Sequence, residues 1–208
     1  MQDLVIICAG EFGEEMVDNI RWINEEEPRW NLLGFIDDNK TGQVAGIPVL
    51  GTVEDYLKMD KHIQYFVATL DGKVREKIMA RCKAAGCTGA VIIGERTTVE
   101  ENTCIGESTY VGAASTVQNG ARVGEGCVME HGNTIGADVV LGAYSTLQIF
   151  SCLCVGATVG KYSDLELRCT IDYGVKTLEG CSFATGTVML EDTPVVGRYY
   201  GVPGKLIG

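Results

Sequence analysis

The sequence predicts two domains of different fold class: an α/β Rossmann-like domain over residues 1–90 and an all-β domain, a parallel β-helix, over residues 91–208. Two observations predict the β-helix, namely an aliphatic residue at every sixth position and a small residue four positions later. A period of six fits neither a helix nor antiparallel strands, and it is typical of the hexapeptide repeat. The third observation, short apolar runs that alternate with helical patterns before residue 90, predicts the Rossmann-like domain.

The β-helix is predicted from a long series of inward aliphatic positions. The series consists of Ile93, Val99, Ile105, Val111, Val117, Val123, Met129, Ile135, Leu141, Leu147, Leu153, Val159, Leu165 and Ile171, and after a break at Thr177 it resumes with Phe183, Met189 and Val195. Three repeats form one triangular coil, so residues eighteen apart lie over one another at about 4.8 Å. Ser115, Asn133 and Ser151 are therefore expected to form an inward polar stack.

The N-terminal domain is predicted from a strand over residues 4–8 and a helix in which Met16, Ile20 and Ile23 recur at helical spacing. Further strands are expected over residues 32–36, 47–50 and 65–68, and further helices over residues 53–57 and 74–84. Alternating strands and helices favour a small parallel sheet. The boundary between the domains is placed near residues 87–92.

The turn between the first strand and the first helix is a candidate anion-binding site. Free backbone N–H groups converge at such a turn, and Gly10 and Gly13 give it a partial dinucleotide-binding pattern. Glu11 brings a negative charge to the same place, and the alternative is that the glycines only permit a tight turn. Asp37 and Asp38, at the end of the second strand, favour contact with a ribose or a base edge, or else form a solvated turn.

Composition restricts the classes of partner. The formal net charge of the 208 residues is −11 and no basic stripe is present, which argues against a nucleic-acid partner. No stretch is long and apolar enough to span a membrane, and the apolar run over residues 4–9 is too short for a signal peptide, so a cytoplasmic location is expected. Three of the nine cysteines, Cys127, Cys169 and Cys181, occupy the small inward position, which favours reduced, buried thiols.

Four short motifs resemble a known family. They are Gly34-Phe35-Ile36-Asp37-Asp38, Pro48-Val49-Leu50-Gly51, Glu130-His131 in the coils, and the tail Gly201-Val202-Pro203-Gly204-Lys205. Together with the repeat, they are similar to hexapeptide-repeat sugar acyltransferases of the sialic-acid O-acetyltransferase and bacillosamine N-acetyltransferase type. The resemblance implies a left-handed β-helix, a homotrimer, acetyl coenzyme A bound between neighbouring β-helices, and a nucleotide-linked amino sugar held partly by the N-terminal domain, with no metal.

The resemblance also assigns site residues. His131 matches the catalytic general base, with Glu130 before it, and the tail residues Val202, Pro203 and Lys205 match the coenzyme-binding end. Gly132 stands where the family usually has an Asp or Glu that orients the histidine. Successive strand side chains point to opposite faces, so Glu130 is poorly placed to hold His131 within its own chain. A carboxylate from a neighbouring subunit is the alternative.

Two functions of different classes follow from these observations. The first is an acetyl-CoA-dependent acetyltransferase that acts on an amino sugar or a sugar hydroxyl. The second is a catalytically silent hexapeptide protein that binds a nucleotide or serves as a scaffold, an alternative that Gly132 favours. A carbonic anhydrase on the same fold is set aside, because its zinc needs several histidines and His131 is the only one in the repeat. Outward apolar residues, among them Tyr110, Val140, Ile149 and Phe150, are expected to form contacts between subunits.

Overall fold

The computed structural model describes residues 1–207, which form the two predicted architectures. The first sheet contains β1 (Gln2–Ile7), β2 (Trp30–Ile36), β3 (Gln43–Val44), β4 (Ile47–Gly51) and β5 (Gln64–Val67), and its helices are α1 (Glu11–Glu26), α2 (Val53–Tyr56) and α3 (Gly72–Ala84). The strand order is β3-β4-β2-β1-β5, with parallel pairing except in the β3–β4 hairpin. Every strand and helix predicted in this domain is present, whereas the two-residue strand β3 was not predicted.

The helices cover the two faces of this sheet. Helix α1 packs against Leu4 and Ile6 of β1, and α2 and α3 pack against Val5 and Ile7, which point to the opposite face. Alternate residues of a strand point to opposite faces, so a strand buried on both sides reads as one apolar run. Gly13 allows α1 to approach β1, because a Cβ there would lie 2.3 Å from the carbonyl oxygen of Cys8.

The second architecture is a left-handed parallel β-helix. Its strands are β6 (Ile92–Ile93), β7 (Thr98–Val99), β8 (Cys104–Ile105), β9 (Tyr110–Val111), β10 (Thr116–Val117), β11 (Arg122–Val123), β12 (Val128–Met129), β13 (Thr134–Ile135), β14 (Val140–Leu141), β15 (Thr146–Leu147), β16 (Cys152–Leu153), β17 (Thr158–Val159), β18 (Asp164–Leu165), β19 (Thr170–Ile171), β20 (Ser182–Phe183) and β21 (Val188–Met189). Strands one coil apart pair in parallel, as Thr116 does with Thr134. The fold class predicted from the six-residue period is confirmed.

The inward positions form a continuous core. The aliphatic residues from Val111 to Ile171 are buried, and the predicted polar stack is present, since the N–H of Asn133 donates to Oγ of Ser115 at 3.1 Å and the N–H of Ser151 donates to Oδ1 of Asn133 at 2.9 Å. The side chain of the small residue thus satisfies a backbone donor of the next coil. Cys127, Cys169 and Cys181 are fully buried, and all nine cysteines are free thiols, as predicted.

The β-helix ends after residue 189. At the break around Thr177, this side of the coil forms no two-residue strand and only one isolated bridge, in which Lys176 pairs with Thr158. The prediction that Val195 continues the inward series is wrong, because its side chain is 48% exposed. The chain loops out there and returns as β22 (Arg198–Tyr200), which pairs in parallel with β20 and forms an antiparallel hairpin with β23 (Lys205–Ile207).

The two parts pack closely along one side of the prism. Tyr110, on β9, is fully buried against residues of the first sheet and α1, so the expectation that it contacts another subunit is wrong. The guanidinium of Arg75, on α3, is also fully buried and donates to backbone oxygens of both parts. Among residues 1–207, no helix has the length and apolar character needed to cross a bilayer.

Candidate functional site

His131 lies at a corner of the prism, directly after β12 and beside the face that the N-terminal domain covers. The corner is fixed by backbone hydrogen bonds to the coils on either side: the N–H of Gly132 donates to Ala113 at 2.9 Å, and the N–H of Phe150 donates to His131 at 3.1 Å. The same corner holds Glu95 two coils earlier, about 10 Å away by strand spacing. The stacked corners that contain Glu95, His131 and Ile149 are called the ridge below. Backbone hydrogen bonds along this ridge fix the position of His131 beside the N-terminal domain.

The imidazole of His131 borders an aromatic cluster that spans the domains. Its ring lies edge-on to Tyr110, with ring centres 6.4 Å apart, and Tyr110 in turn contacts Phe12 of α1 and Phe66 of β5. Phe12 and Phe66 also pack edge to face. The side chain of His131 remains 29% exposed. One side of the imidazole is thus packed and the other is accessible to a ligand.

The carboxylate nearest to His131 comes from the N-terminal domain. Oε1 of Glu15, in the first turns of α1, lies 3.7 Å from Nε2 of His131, which is an ion-pair distance and longer than a hydrogen bond. Sequence analysis did not identify Glu15 as a site residue, because nothing in its spacing from His131 indicates that α1 lies over this corner. The one available signal was Gly132, which implied that a carboxylate must come from elsewhere.

Charge around His131 favours its protonated form. The Glu15 carboxylate raises the pKa of His131 above its usual value, against the opposing effect of partial burial, and Glu95 and Glu130 add to the rise. Burial raises the pKa of Glu130, and the proximity of Glu15 raises it further. The corner is therefore an acidic environment for any group that binds beside the imidazole.

Glu130 occupies a position at which side chains bond to the next coil. In the equivalent place Glu100 accepts from the N–H of Asn119 at 2.8 Å, and Glu166 accepts from the N–H of Thr185 at 2.9 Å. The N–H of Ile149 stands in the same relation to the carboxylate of Glu130 and partly offsets the effect of burial on its pKa. Glu130 therefore lies near the backbone of the next coil.

The space beside Gly132 is filled by an aromatic ring. A Cβ at Gly132 would lie 2.5 Å from the ring of Phe150, one coil further on, and the backbone of Gly132 is in the left-handed region with φ of 68°. Other corners of this helix hold non-glycine residues at positive φ, Phe150 itself among them. An acidic side chain at this position would therefore have to displace the ring of Phe150, which is 59% exposed.

The residues predicted at the N-terminal turn form internal hydrogen bonds. Oδ2 of Asp37 accepts from the N–H of Ala9 at 2.8 Å, and Oδ1 of Asp38 accepts from the N–H of Val53 at 2.8 Å. Burial opposes ionisation of Asp37, but its backbone N–H donors outweigh burial and hold its pKa below the usual value. Gly10 has open space around its Cα, whereas Gly13 is needed for close packing.

A groove of about 200 Å³ opens at this edge of the sheet, and Cys8, Asp37, Asp38 and Asn39 are among the residues that line it. Because Asp37 takes up the N–H of Ala9, one donor that an anion would need at the turn is already engaged. The groove is acidic and suits a sugar or base edge better than a phosphate.

The tail residues lie at the far end of the β-helix from Glu95. Pro203 and Lys205 line a groove of about 250 Å³ together with Leu190 and Glu191, and Val202 is 71% exposed beside it. Strand β22 lies four strands from β12 in the same sheet, which places the tail roughly 19 Å from the level of His131. Any ligand that contacts both must be long and extended.

Two further grooves lie along the ridge that carries His131. One, of about 570 Å³, is lined by Trp22, Glu25, Glu26, Glu95 and Arg96, between α1 and the first coil. The other, of about 320 Å³, lies on the tail side and is lined by Ile149, Phe150, Leu167, Arg168 and Thr185. Within residues 1–207 no three His, Cys, Asp or Glu side chains converge as metal ligands.

The N-terminal domain matches a known family. Residues 3–82 match the model of the PglD N-terminal domain. Among curated proteins, an uncharacterized protein of Acanthamoeba polyphaga mimivirus is 29% identical over 116 residues, which is 54% of this chain and 21% of that protein. The chain therefore spans about a fifth of the length of this relative.

Solved structures share the fold over the whole chain. The acetyltransferase domain of PglB from Neisseria gonorrhoeae, in complex with acetyl coenzyme A, has a TM-score of 0.91 and 23% identity, covering 99% of both chains. PerB from Caulobacter crescentus, in complex with CoA and GDP-perosamine, has a TM-score of 0.89 and 23% identity, covering 99% of this chain and 97% of that one. WeeI from Acinetobacter baumannii has a TM-score of 0.75 and 19% identity, covering 100% of both. These comparisons confirm the predicted resemblance and establish the fold.

Proposed function

We propose that this chain, whose N-terminal domain matches the PglD family and whose fold is that of the PglB and PerB structures, is an acetyl-CoA-dependent acetyltransferase with His131 as general base. The acceptor is the amine or hydroxyl of a nucleotide-linked sugar. The observation that carries the proposal is the position of His131: it is the one histidine of the coils, it lies at a half-open corner between grooves, and a carboxylate faces its Nε2.

The proposed chemistry needs one proton acceptor at the corner. Acetyl-CoA supplies the acetyl group as a thioester. As the acceptor attacks the thioester carbonyl, His131 takes the proton from the attacking nitrogen or oxygen, and the imidazolium then returns that proton to the departing thiolate. Because Nε2 faces Glu15, we assign the role of proton acceptor to Nδ1. General-base catalysis of this kind contributes about 10²–10⁴ in rate.

The grooves on the tail side fit the donor. The groove at Phe150, Leu167 and Thr185 lies one to three coils from His131, up to about 14 Å along the ridge, and a separate groove at Lys205 lies at the tail. Apolar walls suit a pantetheine arm, and Arg168 and Lys205 carry the positive charge that phosphates require. This arrangement supports the assignment of Val202, Pro203 and Lys205 to coenzyme binding.

The groove at Trp22 and Glu95 fits the acceptor. It opens on the opposite side of His131 from the donor grooves, and it combines an aromatic face with carboxylates. Carboxylates accept hydrogen bonds from sugar hydroxyls or from an ammonium group, and an exposed indole packs against a sugar ring. The acidic groove at Asp37 and Asp38 lies near the start of α1, whereas Trp22 and Glu25 lie near its end, so a nucleotide there would occupy a separate groove on the other side of Glu15.

We also propose a homotrimer in which the donor lies between neighbouring β-helices. Phe150 and Leu167 are 59% and 40% exposed on one corner of the coils, and neighbouring apolar residues of this kind mark contacts between chains. Val140, which is 40% exposed, lies on a different sheet of the prism. A second prism packed beside the ridge would complete the groove at Phe150. The proposed coenzyme site lies between subunits, so it requires the trimer.

The proposed function is tested by ligand binding and turnover. A ligand present at a hundred times its Kd adds about 2.7 kcal/mol to the free energy of unfolding, so coenzyme A and nucleotide-linked amino sugars are each expected to raise the melting temperature. Acetyl transfer to a panel of such sugars is followed by the release of free thiol. Stabilisation by a nucleotide sugar without thiol release would favour the silent nucleotide-binding alternative, and no response to coenzyme A would contradict the proposal.

A further inference from the structure

We infer that Glu15 is the positioning residue of His131, and that α1 supplies in this chain the carboxylate that Gly132 lacks. This inference rests on the proposed function, because it concerns the same imidazole. It differs from the expectation that a neighbouring subunit provides the carboxylate, since Glu15 and His131 belong to one chain.

The geometry selects Glu15 among the carboxylates near the corner. Its Oε1 lies 3.7 Å from Nε2 of His131, and this is the only ion pair of His131 within residues 1–207. Glu130 is adjacent in sequence but faces the backbone of the next coil, and Glu95 lies two coils away on the ridge. Glu15 is therefore the carboxylate that can fix the direction of the imidazole.

The packing explains why the carboxylate comes from the other domain. The ring of Phe150 fills the space where a side chain at position 132 would project, so an acidic residue there would displace it. Helix α1 is held over the corner by Phe12, which packs on Tyr110, and by Met16, which is fully buried. Glu15 lies between these two anchors in the helix and is thereby brought to His131.

The pairing has a chemical consequence. A carboxylate at Nε2 keeps the proton on that nitrogen and leaves Nδ1 free to act as the base. It also stabilises the imidazolium that forms when His131 accepts a proton. The groups that face His131 are Glu15 from α1, Glu95 from the first coil, Glu130 from its own coil and Tyr110 from the preceding coil, and only Glu15 makes an ion pair.

The test uses Glu15→Gln, which keeps the size of the side chain and removes its charge. Glu14→Gln is the matched control, because Glu14 is exposed on the same turn of α1. The plateau turnover of Glu15→Gln is expected to fall about 10- to 100-fold, with little change in the KM for acetyl-CoA. The acid side of the pH–rate profile of Glu15→Gln is expected to move to lower pH, because the imidazole stays neutral to lower pH without the carboxylate. Glu15→Asp, which keeps the charge on a shorter side chain, is expected to be intermediate.

A second measurement separates this inference from the proposed function. The chain has two histidines, so NMR titration of the imidazoles yields two curves, and His131→Asn assigns them. The pKa of His131 is expected to fall in Glu15→Gln and not in Glu14→Gln. An unchanged pKa of His131, or turnover equal to that of Glu14→Gln, would overturn the role of Glu15. If the pKa of His131 falls in Glu15→Gln but the wild type shows no acetyl transfer, the Glu15–His131 pair is supported and the proposed function is refuted.

Discussion

The guanidinium of Arg75 donates through Nη2 to the backbone carbonyl oxygen of Tyr144 at 2.8 Å, across 69 residues of sequence. The same side chain donates to the carbonyl oxygens of Thr69 and Gly126 and to Oγ1 of Thr146, so one residue of α3 holds both domains. Burial lowers the pKa of Arg75 to about 10, and the group remains charged at neutral pH. Five donors in a planar fork match a set of fixed carbonyl oxygens as a lysine would not.

Arg75→Met is expected to lower the free energy of unfolding by about 3 kcal/mol or more, because it leaves buried carbonyl oxygens without donors. The measurement is urea denaturation. Arg81→Met is the control: Arg81 pairs with Glu54 at an exposed site, so its loss should cost less than about 1 kcal/mol. If the proposed domain division is correct, limited proteolysis of Arg75→Met should also leave a core that starts near residue 91. Equal stabilities of the two variants would argue against Arg75 as the clamp between the domains.

His131→Ala and His131→Asn are both expected to lower turnover by about 10²–10⁴ and to leave coenzyme A affinity nearly unchanged. The imidazole acts only as the acceptor proton is lost, so ground-state binding gains little from it. The asparagine variant keeps polarity and approximate size, which separates proton transfer from packing. Steady-state kinetics and calorimetric titration with coenzyme A give the two quantities. Wild-type activity in either variant would remove His131 from the mechanism.

The rate is expected to depend on pH through His131. A general base must be neutral, so kcat/KM should fall as the pH drops through the pKa of His131. Because the carboxylates around it raise that pKa, the fall should have its midpoint above pH 6.5, the usual value for histidine. The measurement is kcat/KM of the wild type from pH 5 to 9 at constant ionic strength. A midpoint below 6.5 would mean that burial outweighs the carboxylates.

Gly132→Asp tests whether Phe150 keeps the corner free of a side chain. The substitution is expected to lower the melting temperature, because the new Cβ meets the ring of Phe150 and the residue must adopt a positive φ. Phe150→Ala should relieve the clash. In a double-mutant cycle the pair should therefore show a coupling of about 0.5 kcal/mol or more. Strictly additive effects would show that Phe150 does not determine the identity of this position.

The assembly is expected to be a trimer, with a mass three times the 22.4 kDa of one chain. The exposed apolar side chains of Phe150 and Leu167 provide the driving force, so Leu167→Glu should shift the equilibrium towards monomer. Light scattering at micromolar concentration measures the mass. Lys77→Glu, on the outer side of α3, serves as a control for the added charge. A monomeric wild type would contradict both the trimer and a coenzyme site between subunits.

The β-helix could be predicted from the sequence because its determinants are local and periodic. Residues such as Leu147 and Leu165 are inward at every eighteenth position, and one coil repeats the environment of the last. The periodicity failed where the repeat stopped: Val195 keeps the register but lies beyond the last regular coil, where its side chain is 48% exposed. The strands of the first sheet were likewise predictable, because β1 is buried on both faces and reads as one apolar run.

The site was predicted in part. His131 followed from the resemblance, but its partner did not, because Glu15 and His131 are 116 positions apart and no periodicity relates them. The exposure of Tyr110 was predicted wrongly for the same reason, since an outward side chain of the coil is covered by a separate domain. The roles of all the site residues remain predictions: His131 and Glu130 in catalysis, Gly10, Gly13, Asp37 and Asp38 in substrate binding, and Val202, Pro203 and Lys205 in coenzyme binding.

The sequence by itself determined the coils, their register and the alternation of strands and helices in the first domain, because these depend on which residues repeat along the chain. Only the tertiary structure decided how the domains meet. Arg75 and the aromatic contact between Phe12 and Tyr110 place α1 over one corner of the prism. That placement brings Glu15 to His131, and it arises from packing between surfaces distant in sequence, whose relative position no local pattern specifies.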